Sequence, residues 1–232
     1  STDLVENLGG NSIGRPYGGG SFSVSNNGVI VYTNTSYKHP SELTVVNGTK
    51  STHITNLNSP LLENRNLGFV EEIWYKSSFD NRDIQGWVVY PPNYDSSKNY
   101  PFLVENHGGP ISNYGSRFSA EMQLFAAAGY VVFYPNPRGS TSYGEEFANL
   151  LHHNYPAEDY LDLMDGVDFC INKGIAKEEI LYVMGGSAGG LMTAWIVGKN
   201  NRLEAEVVVK PVMNWNSKTL TADNYFQYFD YR

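Results

Sequence analysis

Apolar and polar positions along the chain follow two different patterns, one before and one after residue 59. In the first part, short runs that alternate at period two, or are rich in β-branched residues, are separated by turn residues. Asn47-Gly48 lies between two of these runs, and this dipeptide is a strong hairpin signal. The pattern predicts four short strands, over residues 21–25, 29–33, 42–46 and 52–55.

Four short strands within about forty residues are typical of one blade of a β-propeller. A single blade leaves its edges unpaired, so it needs neighbours. A small β-appendage that packs on the following domain would show the same pattern. The residues alone leave both interpretations open.

The second part of the chain alternates strands with helices. Strands are predicted over 71–76, 84–90, 100–105, 130–134, 180–184 and 205–209, and helices over 118–128, 158–172 and 189–198. The first two strands are expected to form a hairpin, and Pro135 and Pro137 are expected to end the strand that precedes them. Strands that alternate with helices indicate βαβ units, and hence the α/β class with a mostly parallel, doubly wound sheet.

Composition and charge narrow the range of partners. The 232 residues carry a formal net charge of −8 with a sequence pI near 5.1, and no cluster of Lys and Arg is present. Nucleic acid and anionic membrane surfaces attract basic patches, and no apolar run approaches the length of a membrane span. The sequence therefore predicts neither nucleic acid nor a membrane as a partner.

Cysteine usage and the N-terminus say little about the compartment. Cys170 is the one cysteine. It lies in an apolar stretch and is predicted to be a buried, inert thiol. The N-terminus shows no signal-peptide pattern, and cytoplasmic, secreted and periplasmic locations all stay open. Assembly into a homo-oligomer stays open as well.

Gly185-Gly186-Ser187-Ala188-Gly189 fits the G-x-S-x-G pattern of a nucleophile elbow. A strand is predicted before it and a helix after it, which is the context that this motif needs. In so tight a turn, the residues two before and two after the serine crowd each other, so both must be small. Ser187 is therefore predicted as a nucleophile. The alternative is a Gly/Ser turn that merely joins a strand to a helix.

His107-Gly108-Gly109-Pro110 follows a predicted buried strand. Loops of this type supply a backbone N–H to the oxyanion that forms when a serine attacks a carbonyl, and the residue after the serine supplies another. Gly108, Gly109 and Ala188 are the predicted donors. His107 is not expected to be the catalytic base, because in this fold the base follows the serine in sequence.

These motifs, together with three others, resemble the prolyl oligopeptidase family of serine peptidases. The matching stretches are His107–Pro110, Asn136–Ser140 with Tyr143-Gly144, Gly166–Asp168, Gly185–Gly190, and Pro211-Val212 with Asn214-Trp215. Their order and spacing span most of residues 67–217. The His-Gly-Gly-Pro form is similar to the acylaminoacyl-peptidase and dipeptidyl-peptidase 5 branch.

The resemblance implies an α/β-hydrolase fold and a serine peptidase with Ser187 as its nucleophile, without a metal or an organic cofactor. It also implies a β-propeller ahead of the hydrolase domain, which restricts the substrates to short peptides. Residues 1–58 are then a remnant of the last blade and residues 59–66 a linker. Residues 67–232 are the N-terminal and central part of the catalytic domain.

The acid and the histidine of a catalytic triad are expected after the serine, but all five histidines precede Ser187. A serine hydroxyl without an imidazole is a weak nucleophile. The chain is therefore expected to be incomplete at both ends, to leave a sheet edge bare, and to have little or no peptidase activity alone. The alternatives are a carboxylesterase or lipase of the same fold, and a non-catalytic binding protein on a hydrolase scaffold.

Two further residues are candidates for substrate binding. Arg138 follows a strand end and is interpreted either as a ligand for a substrate carboxylate or as a residue that shapes its loop. Trp215 is interpreted either as the lining of a specificity pocket or as core. A solvated helix face, rather than a cation site, is predicted for four aspartates, Asp159, Asp162, Asp165 and Asp168.

Overall fold

The first four strands form an antiparallel sheet in the order in which they occur along the chain. The computed structural model describes residues 5–223. The strands are β1 (Phe22–Val24), β2 (Ile30–Ser36), β3 (His39–Asn47) and β4 (Lys50–His53). Asn47 pairs with Lys50 across the predicted Asn-Gly turn. All four predicted strands are present.

A short helix, α1 (Ser59–Leu62), lies inside the segment predicted as a linker. Pro60 stands in its first turn, where the missing N–H of proline removes no helical hydrogen bond. A helix of this length is too short for an apolar period, and for that reason the sequence pattern did not indicate it.

Six strands form the second sheet. They are β5 (Val70–Lys76), β6 (Asp83–Val89), β7 (Phe102–Asn106), β8 (Val131–Asn136), β9 (Leu181–Gly186) and β10 (Ala205–Val209). Their order in the sheet is β10-β9-β7-β8-β6-β5. The four strands from β10 to β8 run parallel to one another, whereas β6 pairs antiparallel with both β8 and β5. The predicted α/β class and mostly parallel sheet are confirmed.

Helices cover both faces of this sheet. The helices that contact its strands are α2 (Ala120–Ala127), α4 (Asp159–Asn172) and α5 (Ala188–Lys199), and two shorter helices, α3 (Glu145–Ala148) and α6 (Trp215–Thr221), lie in the connections. On one face, Leu163 of α4 and Ile196 of α5 join an apolar core that also holds the fully buried Cys170. On the other face, Met122 of α2 belongs to a second apolar cluster, which includes Trp87. No helix within residues 5–223 is long and apolar enough to cross a bilayer.

The four-stranded sheet contacts the second sheet through Tyr37, in the turn between β2 and β3. Trp87, which is 1% exposed, donates its indole N–H to the Tyr37 hydroxyl at 2.9 Å. Tyr37 in turn donates to Ser116 Oγ at 2.9 Å. A buried indole N–H needs such a partner, so this contact joins the two sheets with its polar groups paired.

The prediction that Pro135 ends its strand is wrong. β8 continues through Pro135 to Asn136, and Pro135 pairs with Gly86 of β6. The parallel pairing of β8 with β7 stops at Phe133. Pro135 therefore has a strand neighbour on one side only, which is the position where a sheet tolerates a residue without an N–H.

β10 is exposed along most of its length, unlike the other parallel strands. Its side chains include Val207 and Val208, at 54% and 38% exposure. Within the described residues β10 pairs with β9 alone. Parallel strands are normally covered on both faces, so β10 is an exposed edge strand in the part of the chain that the structure describes.

Candidate active site

The two predicted motifs meet at the carboxyl ends of neighbouring strands. β7 pairs in parallel with β9, and Asn106 at the end of β7 lies opposite Gly185. The His-Gly-Gly loop after β7 and the turn after β9 are therefore adjacent. A Cβ atom placed on Gly108 would lie 3.5 Å from Ser187 Cβ, so two motifs far apart in sequence form one site.

Ser187 has a backbone conformation that residues other than glycine rarely adopt, with φ 61° and ψ −118°. Its N–H donates to the carbonyl oxygen of Val209 at 3.0 Å, which ties the turn to β10. Ser187 is exposed, whereas residues 185–186 and 188–190 around it are buried. The turn therefore lifts a single hydroxyl above the sheet.

Gly185 and Gly189 have no room for a side chain. A Cβ atom on Gly185 would lie 2.4 Å from the carbonyl oxygen of Gly189, and one on Gly189 would lie 2.0 Å from that of Asn106. A Cβ atom on Gly186 would have its nearest neighbour, Arg15 Nη1, at 3.4 Å. The predicted crowding at Gly185 and Gly189, two residues before and two after Ser187, is confirmed, whereas Gly186 is less crowded.

Replacing Gly189 by alanine is expected to destabilise the complete protein by more than about 2 kcal/mol, because the methyl group would overlap rigid backbone. Gly198→Ala is the matched control, since it places the same methyl group in the same helix with no atom within 4 Å. That change is expected to stabilise by up to about 1 kcal/mol, because alanine favours helix. Urea-unfolding midpoints measure both effects, and equal midpoints would contradict the packing argument.

Two backbone N–H groups of these motifs have no acceptor among residues 5–223. One belongs to Gly109, which follows Gly108, and the other to Ala188, which follows Ser187 and is the first residue of α5. The positive end of the α5 dipole lies at the same place. Both groups are therefore available to a developing negative charge. Gly108, the third predicted donor, differs because its N–H already donates to the Tyr17 hydroxyl at 2.8 Å.

His107 is engaged away from the serine. Its Nδ1 donates to the carbonyl oxygen of Gly108 at 2.8 Å, and its Nε2 lies 2.9 Å from Ser140 Oγ. Burial lowers the pKa of His107 to about 4. Both ring nitrogens thus hold the loop, which supports the expectation that His107 is not the base.

Arg138 is paired with the buried carboxylate of Asp162. It is 2% exposed, and its guanidinium donates to both carboxylate oxygens of Asp162 at 2.8 Å and to Ser77 Oγ at 2.9 Å. Asp80 accepts a further hydrogen bond at 3.2 Å. These contacts favour the loop-shaping interpretation over substrate binding, because few donors are left for a ligand.

The aspartates of α4 do not form a solvated face, and that prediction is wrong. Asp159 and Asp162 are 2% and 0% exposed, and burial raises the pKa of Asp159 to about 7. Asp165 accepts a backbone N–H at 2.6 Å, and Asp168 pairs with Arg202 at 2.6 Å. A repeat of three residues is shorter than the 3.6-residue turn of a helix. Successive aspartates are therefore displaced around α4, and each has different neighbours. In the described part of the chain, no three His, Cys, Asp or Glu side chains are grouped to bind a metal.

Trp215 is connected to the elbow through Tyr155. The two rings meet edge to face, with centroids 6.1 Å apart. The Tyr155 hydroxyl donates to the carbonyl oxygen of Ala188 at 3.1 Å. Trp215 is half-buried, so its ring lies at the margin of the site.

Arg15 and Tyr17 lie at the site although no sequence pattern marked them. Arg15 forms ion pairs with Glu105 and Glu121, at 2.8 and 2.6 Å. Burial raises the pKa of Glu105 to about 7, against the opposing effect of Arg15. Tyr17 and Gly108 are 91 positions apart in sequence, so no local period connects them.

The sheet order, the antiparallel β6 and the serine turn between β9 and α5 define the class of protein, an α/β-hydrolase. The acylaminoacyl peptidase of Pyrococcus horikoshii is similar, with a TM-score of 0.82 and 26% identity over 90% of this chain and 33% of that one. An acylaminoacyl peptidase in complex with Z-Gly-Gly-Phe-chloromethyl ketone has a TM-score of 0.80 and 26% identity, over 89% of this chain and 33% of that one.

Sequence comparison identifies the family within this class. The model of the prolyl oligopeptidase family matches residues 116–232, and the chain belongs to this family. It is 38% identical over 180 residues to the uncharacterized peptidase YuxL of Bacillus subtilis, covering 77% of this chain and 27% of that protein. It is 35% identical over 153 residues to dipeptidyl-peptidase 5 of Schizosaccharomyces pombe, covering 63% and 22%. The chain thus spans about a quarter of the length of these curated relatives.

Proposed function

We propose that the protein containing this chain is a serine-type peptidase that cleaves short peptides by acyl transfer through Ser187. The observation that carries the proposal is the exposed Ser187 on a strained turn, together with the N–H groups of Gly109 and Ala188, which have no acceptor within residues 5–223. The peptidase names of the relatives support a peptide substrate. So does the structural neighbour in complex with a peptide derivative.

In the proposed reaction, Ser187 Oγ adds to the carbonyl carbon of the scissile bond, and its proton passes to an imidazole. The π pair of the carbonyl moves onto oxygen, where the N–H groups stabilise it. The C–N bond then breaks, the imidazolium protonates the leaving amine, and water hydrolyses the acyl-enzyme. No histidine follows Ser187 in this chain and His107 is engaged elsewhere, so the proposal assigns the base to a histidine outside this sequence.

The proposal includes a propeller ahead of the hydrolase part, with the sheet of β1–β4 as its last blade. Phe22 and Val24 in the edge strand β1 are 66% and 55% exposed. Exposed apolar side chains on one face of a strand are what a neighbouring blade would cover. Residues 59–66 are then the linker and residues 67–232 part of the catalytic domain, and a propeller over the site limits substrates to short peptides.

A fluorophosphonate, which phosphonylates activated serines, tests the nucleophile in the complete protein. After digestion, mass spectrometry is expected to find the label on Ser187. Protein denatured before the reaction should remain unlabelled, because an activated serine requires the folded site. A label on another serine would contradict the assignment.

A substrate panel tests the reaction class on the same protein. Aminoacyl p-nitroanilides and p-nitrophenyl esters are both expected to be hydrolysed by the complete protein, and neither by the isolated 232-residue polypeptide. Hydrolysis of esters alone would indicate a carboxylesterase or lipase. A folded complete protein that neither reacts with the fluorophosphonate nor hydrolyses any substrate of the panel would indicate a non-catalytic binding protein.

A further inference from the structure

Residues 13–18, the 13–18 segment, are bound by the start of α2 and by the loop between β7 and α2. Backbone hydrogen bonds of 2.9 Å hold the segment along its length: Ala120 N–H to Ile13, Glu121 N–H to Gly14, Gly115 N–H to Pro16, and Gly18 N–H to Asn113. Two of these donors lie in the first turn of α2, where N–H groups have no partner within the helix. The segment therefore has a fixed place beside the site.

Arg15 anchors the middle of the 13–18 segment. Its guanidinium donates to both carboxylate oxygens of Glu121, at 2.6 and 3.2 Å, and pairs with the fully buried Glu105 at 2.8 Å. Glu105 lies two positions before His107, the first residue of the His-Gly-Gly loop. Charged hydrogen bonds of this kind fix geometry as well as adding stability, so the position of the neighbouring Tyr17 is well defined.

The Tyr17 hydroxyl lies next to the backbone of Gly108, and Gly108 itself lies close to Ser187. It accepts the N–H of Gly108 at 2.8 Å. A Cβ atom placed on Gly108 would lie 3.3 Å from Tyr17 Oη and 3.5 Å from Ser187 Cβ. The phenol ring rests against Tyr114, with centroids 4.8 Å apart. One small volume is thus bordered by the hydroxyl and by the candidate nucleophile.

The proton of this hydroxyl has no acceptor in residues 5–223, because the one hydrogen bond of Tyr17 Oη is the one it accepts. A hydroxyl that accepts an N–H is polarised and becomes a better donor. We propose that Tyr17 is a catalytic residue that donates a hydrogen bond to the oxyanion, beside the N–H groups of Gly109 and Ala188. This inference rests on the proposed function of Ser187.

The role is a hydrogen bond and involves no transfer of the phenol proton. As Ser187 Oγ bonds to the carbonyl carbon, the π pair of the carbonyl moves onto oxygen, and Tyr17 donates to that oxygen while keeping its proton. When the intermediate collapses, the pair returns to the C–O bond and the hydrogen bond weakens. Gly108 then contributes indirectly, because its N–H orients the Tyr17 hydroxyl.

Tyr17→Phe in the complete protein tests the inference, since it removes only the hydroxyl. Loss of one oxyanion donor is expected to lower kcat and kcat/KM together by about 100-fold, with KM changed less than about twofold, because the bond forms in the transition state. Tyr130→Phe is the matched control. Tyr130 directly precedes β8, at the amino ends of the parallel strands and so at the end of the sheet away from Ser187, and packs on Tyr182 with ring centroids 5.9 Å apart.

A transition-state mimic separates a catalytic role from a structural one. Acetyl-phenylalaninal forms a hemiacetal with a nucleophilic serine, and its inhibition constant is expected to rise with Tyr17→Phe by about the factor that kcat/KM falls. Acetyl-phenylalaninol cannot form this adduct, so its inhibition constant should not change. An equal rise in the inhibition constants of both compounds would overturn the catalytic role of Tyr17. A rate of hydrolysis by Tyr17→Phe equal to or above that of the wild type would overturn it as well.

Ser187→Ala distinguishes failure of this inference from failure of the proposed function. If hydrolysis is lost with Ser187→Ala and unchanged with Tyr17→Phe, the nucleophile stands and the inference about Tyr17 is wrong. If hydrolysis survives Ser187→Ala, the proposed function itself is wrong, and the inference falls with it.

Discussion

Replacing Ser187 by alanine in the complete protein is expected to lower kcat for peptide hydrolysis by about 10⁶-fold. Removing a serine nucleophile has an effect of that order in a serine protease, which corresponds to about 8 kcal/mol of transition-state stabilisation. The exposed hydroxyl of Ser187, on its strained turn, is the group that we propose forms the covalent bond. The fold should be unaffected, because the hydroxyl makes no hydrogen bond within residues 5–223.

Ser97→Ala is the control for this prediction. Ser97 is exposed in the loop before β7 and bonds to Asp95, so its loss should leave kcat unchanged. Steady-state assays on an aminoacyl p-nitroanilide measure both variants. A Ser187→Ala protein that keeps more than about a hundredth of the wild-type rate would be incompatible with acyl transfer through Ser187.

Replacing Arg138 by methionine is expected to destabilise the complete protein by about 3–5 kcal/mol. The substitution removes the guanidinium from Asp162, which is 0% exposed, and leaves a buried carboxylate without its cation. Ser77, which is 2% exposed, loses a donor as well. The effect should appear as a lower urea-unfolding midpoint.

Arg202→Met is the matched control, because Arg202 also pairs with two carboxylates. Those of Asp168 and Glu178 are 52% and 48% exposed, however, and water can replace the arginine. A loss of about 0–1 kcal/mol is expected there. Similar midpoints for the Arg138 and Arg202 variants would contradict a structural role for buried charge pairing at Arg138.

Local sequence patterns were sufficient for the strands, for the three longer helices α2, α4 and α5, and for the elbow, but not for the short helices α1, α3 and α6. A strand, a turn and a helix around Ser187 are adjacent in sequence, so their apolar periods and small residues carry the information directly. The same holds for the His-Gly-Gly loop, which follows its own strand. Its place beside Ser187 could be expected because both loops follow parallel strands of one sheet.

Other parts of the site depend on partners that are distant in sequence. The burial of Asp162 follows from Arg138, which arrives on a loop after another strand. The occupied N–H of Gly108 follows from Tyr17, 91 residues away. The continuation of β8 through Pro135 follows from where its pairing with β7 stops. Each of these is a tertiary contact, and no period of two or of 3.6 residues encodes it.

The position of the 13–18 segment affects how genes of this family can be recombined. A crossover in residues 59–66 would look safe, because the chain passes there from one sheet to the other. It would nevertheless pair Arg15 and Tyr17 of one parent with Glu105, Glu121 and the glycine loop of the second parent. Chimeras should therefore stay functional only when both parents carry compatible residues at these positions, or when the 13–18 segment is exchanged together with the catalytic part.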